Sequence, residues 1–150
     1  MGQWIPWLPQ FETGFMEIDY QHRELFGMFN ELLDAAWDGE GQQALKYSLT
    51  FMADYVVNHF ATEERYMRHH RFPGYEEHKQ AHDDFTAEVG AFIREYKDKD
   101  LSGSLVVKVV SKLGDWTRDH VRGMDKELGA FLVEAEVAGA AGSGTRYAAA

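Results

Sequence analysis

Apolar positions recur at steps of three and four in four separate stretches of the chain. From about 19 to 38 they run through Ile18, His22, Leu25, Phe26, Phe29, Leu32, Leu33 and Ala36. From about 42 to 68 they run through Leu45, Leu49, Met52, Tyr55, Val56, His59, Glu63 and Met67. The third stretch, Tyr75, His78, His82, Phe85, Val89, Phe92 and Tyr96, alternates the two steps strictly. A fourth, from about 102 to 133, carries Val106, Val109, Leu113, Trp116, His120, Met124, Leu128 and Phe131. Each set describes one face of a helix. Short polar breaks separate them at Asp38 to Gly41, Arg71 to Gly74 and Lys97 to Asp100. Helices joined so briefly must turn back on one another, which predicts an all-α, up-down-up-down antiparallel four-helix bundle.

Residues 1–17 lack that period and carry Trp4, Pro6, Trp7, Pro9, Phe11 and Gly14, so they read as an extended N-terminal arm with aromatic anchors. Asp19 is the expected N-cap of the first helix, with Ile18 as its staple residue. The bundle is expected to occupy 1–134. The Ala- and Gly-rich segment 135–150 has no face and reads as a flexible tail.

Composition narrows the chemistry. The chain has no cysteine, which removes disulfides, thiolate-bound clusters, zinc fingers and cysteine nucleophiles together. Its net charge of −10 argues against nucleic acid and anionic membranes as partners. No apolar run approaches the ~18 residues of a membrane span, and Met1 to Pro6 shows no secretory signal, so the expected compartment is the cytoplasm.

Five of the seven histidines fall on the predicted inner faces: His22, His59, His78, His82 and His120. Glu63 and Asp125 lie near them in the pattern. An unpaired buried polar group costs about 1–3 kcal/mol, and more if charged, so this concentration calls for a common partner. A metal supplies one. His59 and Glu63 are four residues apart, as are His78 and His82, which places each pair about 40° apart on one helix. His120 and Asp125 are five apart, about 140° on a regular helix, so the pair needs either a locally distorted helix or a carboxylate that reaches past a metal to its other side. Five imidazoles and two carboxylates exceed one first-row metal site and suit two ions sharing the carboxylates. The donors are nitrogen and oxygen, which suits iron. They are richer in imidazole than the carboxylate sites of ferritin-like di-iron oxidases.

Read together, Thr13-Gly14, Ile18-Asp19-Tyr20-Gln21-His22, His59 to Glu64, Met67, Pro73, His78-Lys79-Gln80-Ala81-His82 with Phe85, and Trp116 to His120 with Asp125 resemble the hemerythrin family, in particular its single-domain bacterial members. The resemblance implies that His78, His82 and His120 bind one iron and His22 and His59 the other. Glu63 and Asp125 would bridge the pair beside an oxo or hydroxo group. It implies reversible dioxygen binding at a non-haem di-iron centre, for carriage, storage or delivery, with the two-imidazole iron keeping an open position. Dioxygen is then the ligand, and an oxygen-consuming protein the candidate partner. The alternatives are an oxygen or redox sensor, or a di-iron enzyme acting on peroxide, nitric oxide or oxygen.

Neighbours of the motif carry plainer expectations. Phe60, Phe85, Trp116 and Val121 should form an apolar shell around the ligands. Thr117 stands where a bulky aliphatic residue is expected, and its hydroxyl would admit water or donate a hydrogen bond. Glu64 should rotate off the ligand face, and His69 and His70 should be solvated.

Overall fold

A computed structural model of the chain describes residues 4–143. Five helices are present: α1 (Met16–Trp37), α2 (Gln42–His69), α3 (Tyr75–Glu95), α4 (Gly103–His120) and α5 (Lys126–Ser143). A π-helical turn, Val121–Asp125, joins α4 to α5, so residues 103–143 form one continuous rod. Among the described residues there is no strand. The architecture is the expected all-α four-helix bundle, with α1 flanked by α2 and α4, and α3 packed on α2.

The helix ends follow from local chemistry. α1 stops at Gly39, whose φ of 77° lets the Glu40 N–H reach back to the Ala35 carbonyl at 3.0 Å. α2 ends the same way at Arg71, with the Phe72 N–H donating to the Met67 carbonyl at 2.9 Å. Arg71 takes a left-handed φ of 54° there, a conformation that costs a side chain roughly 1–2 kcal/mol. The Ser102 Oγ caps α4 by accepting from the Leu105 N–H.

Asp19 is not the N-cap. α1 begins three residues earlier, after Phe15, and Asp19 lies inside its first turn. Its carboxylate reaches back to accept from the Thr13 N–H at 2.7 Å, the Thr13 hydroxyl at 2.8 Å and the Gly14 N–H at 3.1 Å. It therefore closes the arm onto the helix. Further up the arm, Asn30 exchanges two hydrogen bonds with the backbone of Ile5, and the Trp4 indole N–H donates to Asp34. The arm also explains why the buried face of α4 differs from its expected line. Val109, Trp116, Met124 and Phe131 are only half-buried, whereas Val110, Gly114, Thr117, Val121 and Leu132 are buried. Ile5 packs onto Gly114, widening the covered stripe toward the arm, and the π turn then shifts the stripe by one residue.

α5 runs past residue 134, where the bundle was expected to end, to Ser143. Alanine propagates a helix without needing an apolar face. The remainder of the expected tail, 144–150, lies outside the described residues.

The core has two apolar layers. A large one joins the arm to Leu25, Phe29, Leu33, Met52, Phe85 and Val110, and a small one gathers Phe15, Ile18, Met67, Leu128 and Leu132. On α1 the two layers are separated by His22, on α2 by Glu63, and on the long rod by Asp125. The polar residues form a slab between two greasy ends.

Candidate metal centre

Each element contributes to that slab through its own periodicity. α1 supplies His22, α2 supplies His59 and Glu63, α3 supplies His78 and His82, and the last residue of α4 is His120. Asp125 closes the π turn. That turn answers the spacing problem: the wider winding brings a residue five positions on back over its start, and Asp125 Oδ1 lies 3.1 Å from His120 Nε2. All seven side chains are buried, His120 being the most exposed at 8%. The structure therefore brings together every residue proposed from the sequence.

The two carboxylates divide their oxygens between two groups of imidazoles. Glu63 Oε2 is 2.9 Å from His59 Nε2 and 3.2 Å from His22 Nε2, while Oε1 faces His82 at 3.1 Å and His78 at 3.4 Å. Asp125 Oδ2 is 2.9 Å from His22, while Oδ1 faces His78 at 3.0 Å and His120 at 3.1 Å. Two donor sets result, each compact enough for one ion. Glu63, His78, His82, His120 and Asp125 make one, and His22, His59, Glu63 and Asp125 the other, with each set's ligand atoms within 4.8 Å of one another. The carboxylates belong to both.

Protein partners alone leave this slab unsatisfied. Glu63 Oε1, both oxygens of Asp125, His78 Nε2 and His22 Nδ1 are buried without a hydrogen bond. The Glu63 and Asp125 oxygens and His78 Nε2 face one another across the slab, an arrangement that a bound cation relieves, whereas His22 Nδ1 lies on the far side of its ring from the carboxylates. The donor set fits a pair of first-row metal ions.

Without metal, protons take that place. Burial pulls the His22 and His78 imidazoles down, but the facing Asp125 and Glu63 carboxylates outweigh it and raise both to about 9. Burial likewise opposes ionisation of Glu63, yet the His59, His22 and His78 rings hold it well below the carboxylate range. Asp125 is pushed up by burial and by Glu63, and is lowered overall by His120 and His22.

Two outer contacts escaped the sequence reading. Glu64 is off the ligand face as expected, but its Oε2 accepts from His82 Nδ1 at 2.8 Å. Burial would raise the Glu64 carboxyl, and the His82 hydrogen bond lowers it overall. Gln21 Oε1 accepts from His59 Nδ1 at 2.7 Å. Each acceptor fixes the proton on Nδ1 and leaves the Nε2 lone pair facing inward. Neither carries a spacing signal. Their sole cue was adjacency to His22 and Glu63. His69 is exposed, and His70 lies outside the cluster, 3.8 Å from Glu136.

An aromatic wall backs the ligands. Phe60 stacks on His82 with centroids 3.8 Å apart and planes 5° apart, and Trp116 stacks on both His120 and Phe85. Val121 completes the shell at 1% exposure. Inside it, a cavity of about 10 Å³ is bordered by His22, His59, His120, Asp125, Phe60, Thr117 and Val121. That is room for roughly one water-sized molecule. Thr117 does not behave as a free donor: its hydroxyl donates to the Leu113 carbonyl at 2.9 Å, one turn back on its own helix.

Known proteins agree with this geometry. The family model for the hemerythrin HHE cation binding domain matches residues 13–132. The chain belongs to the hemerythrin family. It is 30% identical over 123 residues to a bacteriohemerythrin of Stenotrophomonas maltophilia, covering 81% of this chain and 77% of that one. It is 29% identical over 119 residues to a hemerythrin of Sipunculus nudus, covering 79% and 86%. The crystal structure of wild-type hemerythrin superposes with a TM-score of 0.74 at 26% identity, over 85% of this chain and 96% of the other. This member of the family carries a His, Glu and Asp cluster suited to a di-iron site. Among its described residues no helix is long and apolar enough to cross a membrane.

Proposed function

We propose that this protein binds dioxygen reversibly at a di-iron centre and serves as a carrier, store or delivery protein. In this reading His78, His82 and His120 hold one iron, His22 and His59 hold the other, and Glu63 and Asp125 bridge them. A diferrous centre supplies the two electrons that reversible dioxygen binding draws on.

The observation that carries the reading is the position of the cavity. It borders both imidazoles of the set that is one donor short, His22 and His59, and one of the three of the other set, His120. A small ligand entering it would meet the smaller donor set.

The surrounding residues have definite tasks. Gln21 and Glu64 hold His59 and His82 in one tautomer, so their inward lone pairs need no rearrangement when metal binds. Phe60, Trp116 and Val121 form an apolar wall that keeps bulk water away from the cavity. The Thr117 hydroxyl already donates its proton to the Leu113 carbonyl, so that proton is not free for the cavity. That favours binding over proton-driven turnover.

The test is anaerobic reconstitution with two ferrous ions per chain, followed by cycles of air and inert gas. Colour that appears in air and bleaches on oxygen removal over many cycles is the expected result. Irreversible oxidation in a single exposure, or steady turnover of peroxide or nitric oxide with a reductant at rates that outpace oxygen release, would refute it.

A further inference from the structure

The two halves of the centre differ in more than imidazole count. On the three-imidazole side, His82 donates its Nδ1 proton to a carboxylate, Glu64 Oε2, at 2.8 Å. On the two-imidazole side, His59 donates to a neutral amide, Gln21 Oε1, at 2.7 Å. His22 Nδ1, on that same side, has no hydrogen-bond partner. Charge in the outer contacts that the structure defines is thus confined to one half. A carboxylate behind an imidazole pulls on its proton and makes the opposite nitrogen a stronger donor, whereas an amide fixes orientation with little change in basicity. Lys79 Nζ lies 3.6 Å from Glu64 Oε1, but the lysine is partly solvated and pairs more closely with Asp83 at 2.9 Å. It offsets the Glu64 charge weakly, whereas the His82 end of the other contact is buried and its Glu64 end half-buried.

We propose that Glu64 is a positioning residue that sets the order of metal loading. The first ion enters the set of His78, His82 and His120, and the second enters the set of His22 and His59 only afterwards. Gln21 keeps the second step weak, which makes the ion held by His22 and His59 the exchangeable one. This inference rests on the two-metal reading above. Outer partners of this kind are worth about 10–100-fold in metal affinity.

The experiment is calorimetric titration of the metal-free full chain with Co²⁺ alone. The wild type should show two steps of unequal affinity, each of one ion per chain. Glu64→Gln should weaken the first step about 10–100-fold and leave the second within about twofold. Glu64→Asp, which keeps the charge, should preserve the gap and covers the case in which the glutamine variant fails to fold. Gln21→Glu should tighten the second step about tenfold and narrow the gap. Two equal steps in the wild type, or a Glu64→Gln variant whose two steps weaken alike, would overturn the loading order while leaving the two-metal reading intact. Fewer than two ions per wild-type chain would overturn that reading itself.

Discussion

Truncating Phe60 tests whether the aromatic wall is structural filler or part of the site. The ring is 5% exposed, lies flat on His82 at 3.8 Å, and meets Phe85 and Trp116 edge-on at 5.9 and 6.2 Å. A buried phenylalanine hides about 150–250 Å² of surface, which at roughly 25 cal/mol per Å² sets an upper bound of about 4–6 kcal/mol. Alanine retains Cβ, and core truncations of this kind cost about 3–5 kcal/mol, the upper end applying where neighbours cannot collapse. Here the neighbours are two aromatic rings and a ligand imidazole held from behind by Glu64, so Phe60→Ala should lose about 4 kcal/mol. In a chain of this length that lowers the melting temperature by about 8–16 °C. Urea unfolding of the metal-free protein is the suitable assay, because bound metal would couple to the transition. The space opened beside the small cavity should also admit water, so the oxygenated protein should bleach irreversibly within fewer air cycles. A loss below about 1 kcal/mol, or air cycling indistinguishable from the wild type, would refute the role assigned to the wall.

Three further outcomes follow from the same geometry. His82→Ala and His120→Ala should each fail to hold two irons per chain by elemental analysis, whereas His70→Ala, outside the cluster, should load normally. In the metal-free chain the His22 and His78 values of about 9 stand above the ordinary 6.5, so their stabilisation is complete below pH 6.5 and is lost as pH rises toward 9. Glu63, lowered from 4.5, contributes above that pH and is lost as pH falls through its depressed value. Melting temperature measured without metal should therefore fall from pH 6.5 to 9, and a rise over that interval would contradict the pairing. Finally, a Cβ on Gly129 would lie 2.5 Å from the Thr13 carbonyl oxygen, whereas one on Gly114 would meet the movable tip of Ile5. Gly129→Ala should accordingly cost about 1–3 kcal/mol and loosen the arm, and Gly114→Ala distinctly less, as compared by chemical denaturation.

Much of the molecule can be read from local pattern. The alternating steps of Tyr75, His78, His82, Phe85 and Val89 define a helix and its inner face before any partner is known. Once four such faces must meet, the histidines they carry meet too. His59 with Glu63, and His78 with His82, needed nothing beyond the pitch of a helix. Asp19 shows the limit: a short acidic residue near a helix start reads as a cap, but only the path of the arm reveals that it holds Thr13 and Gly14 instead.

What the amino-acid order decided by itself was the helices, their apolar stripes and the kinds of donor gathered inside, because periodicity and residue chemistry act within a few turns of one chain. What only the packed bundle decided was how those donors are shared. The division of the Glu63 and Asp125 oxygens between two sets, and the opposite outer partners Gln21 and Glu64, depend on contacts between different helices. Such contacts have no period to read, since each is set by the distance and angle at which two rods cross.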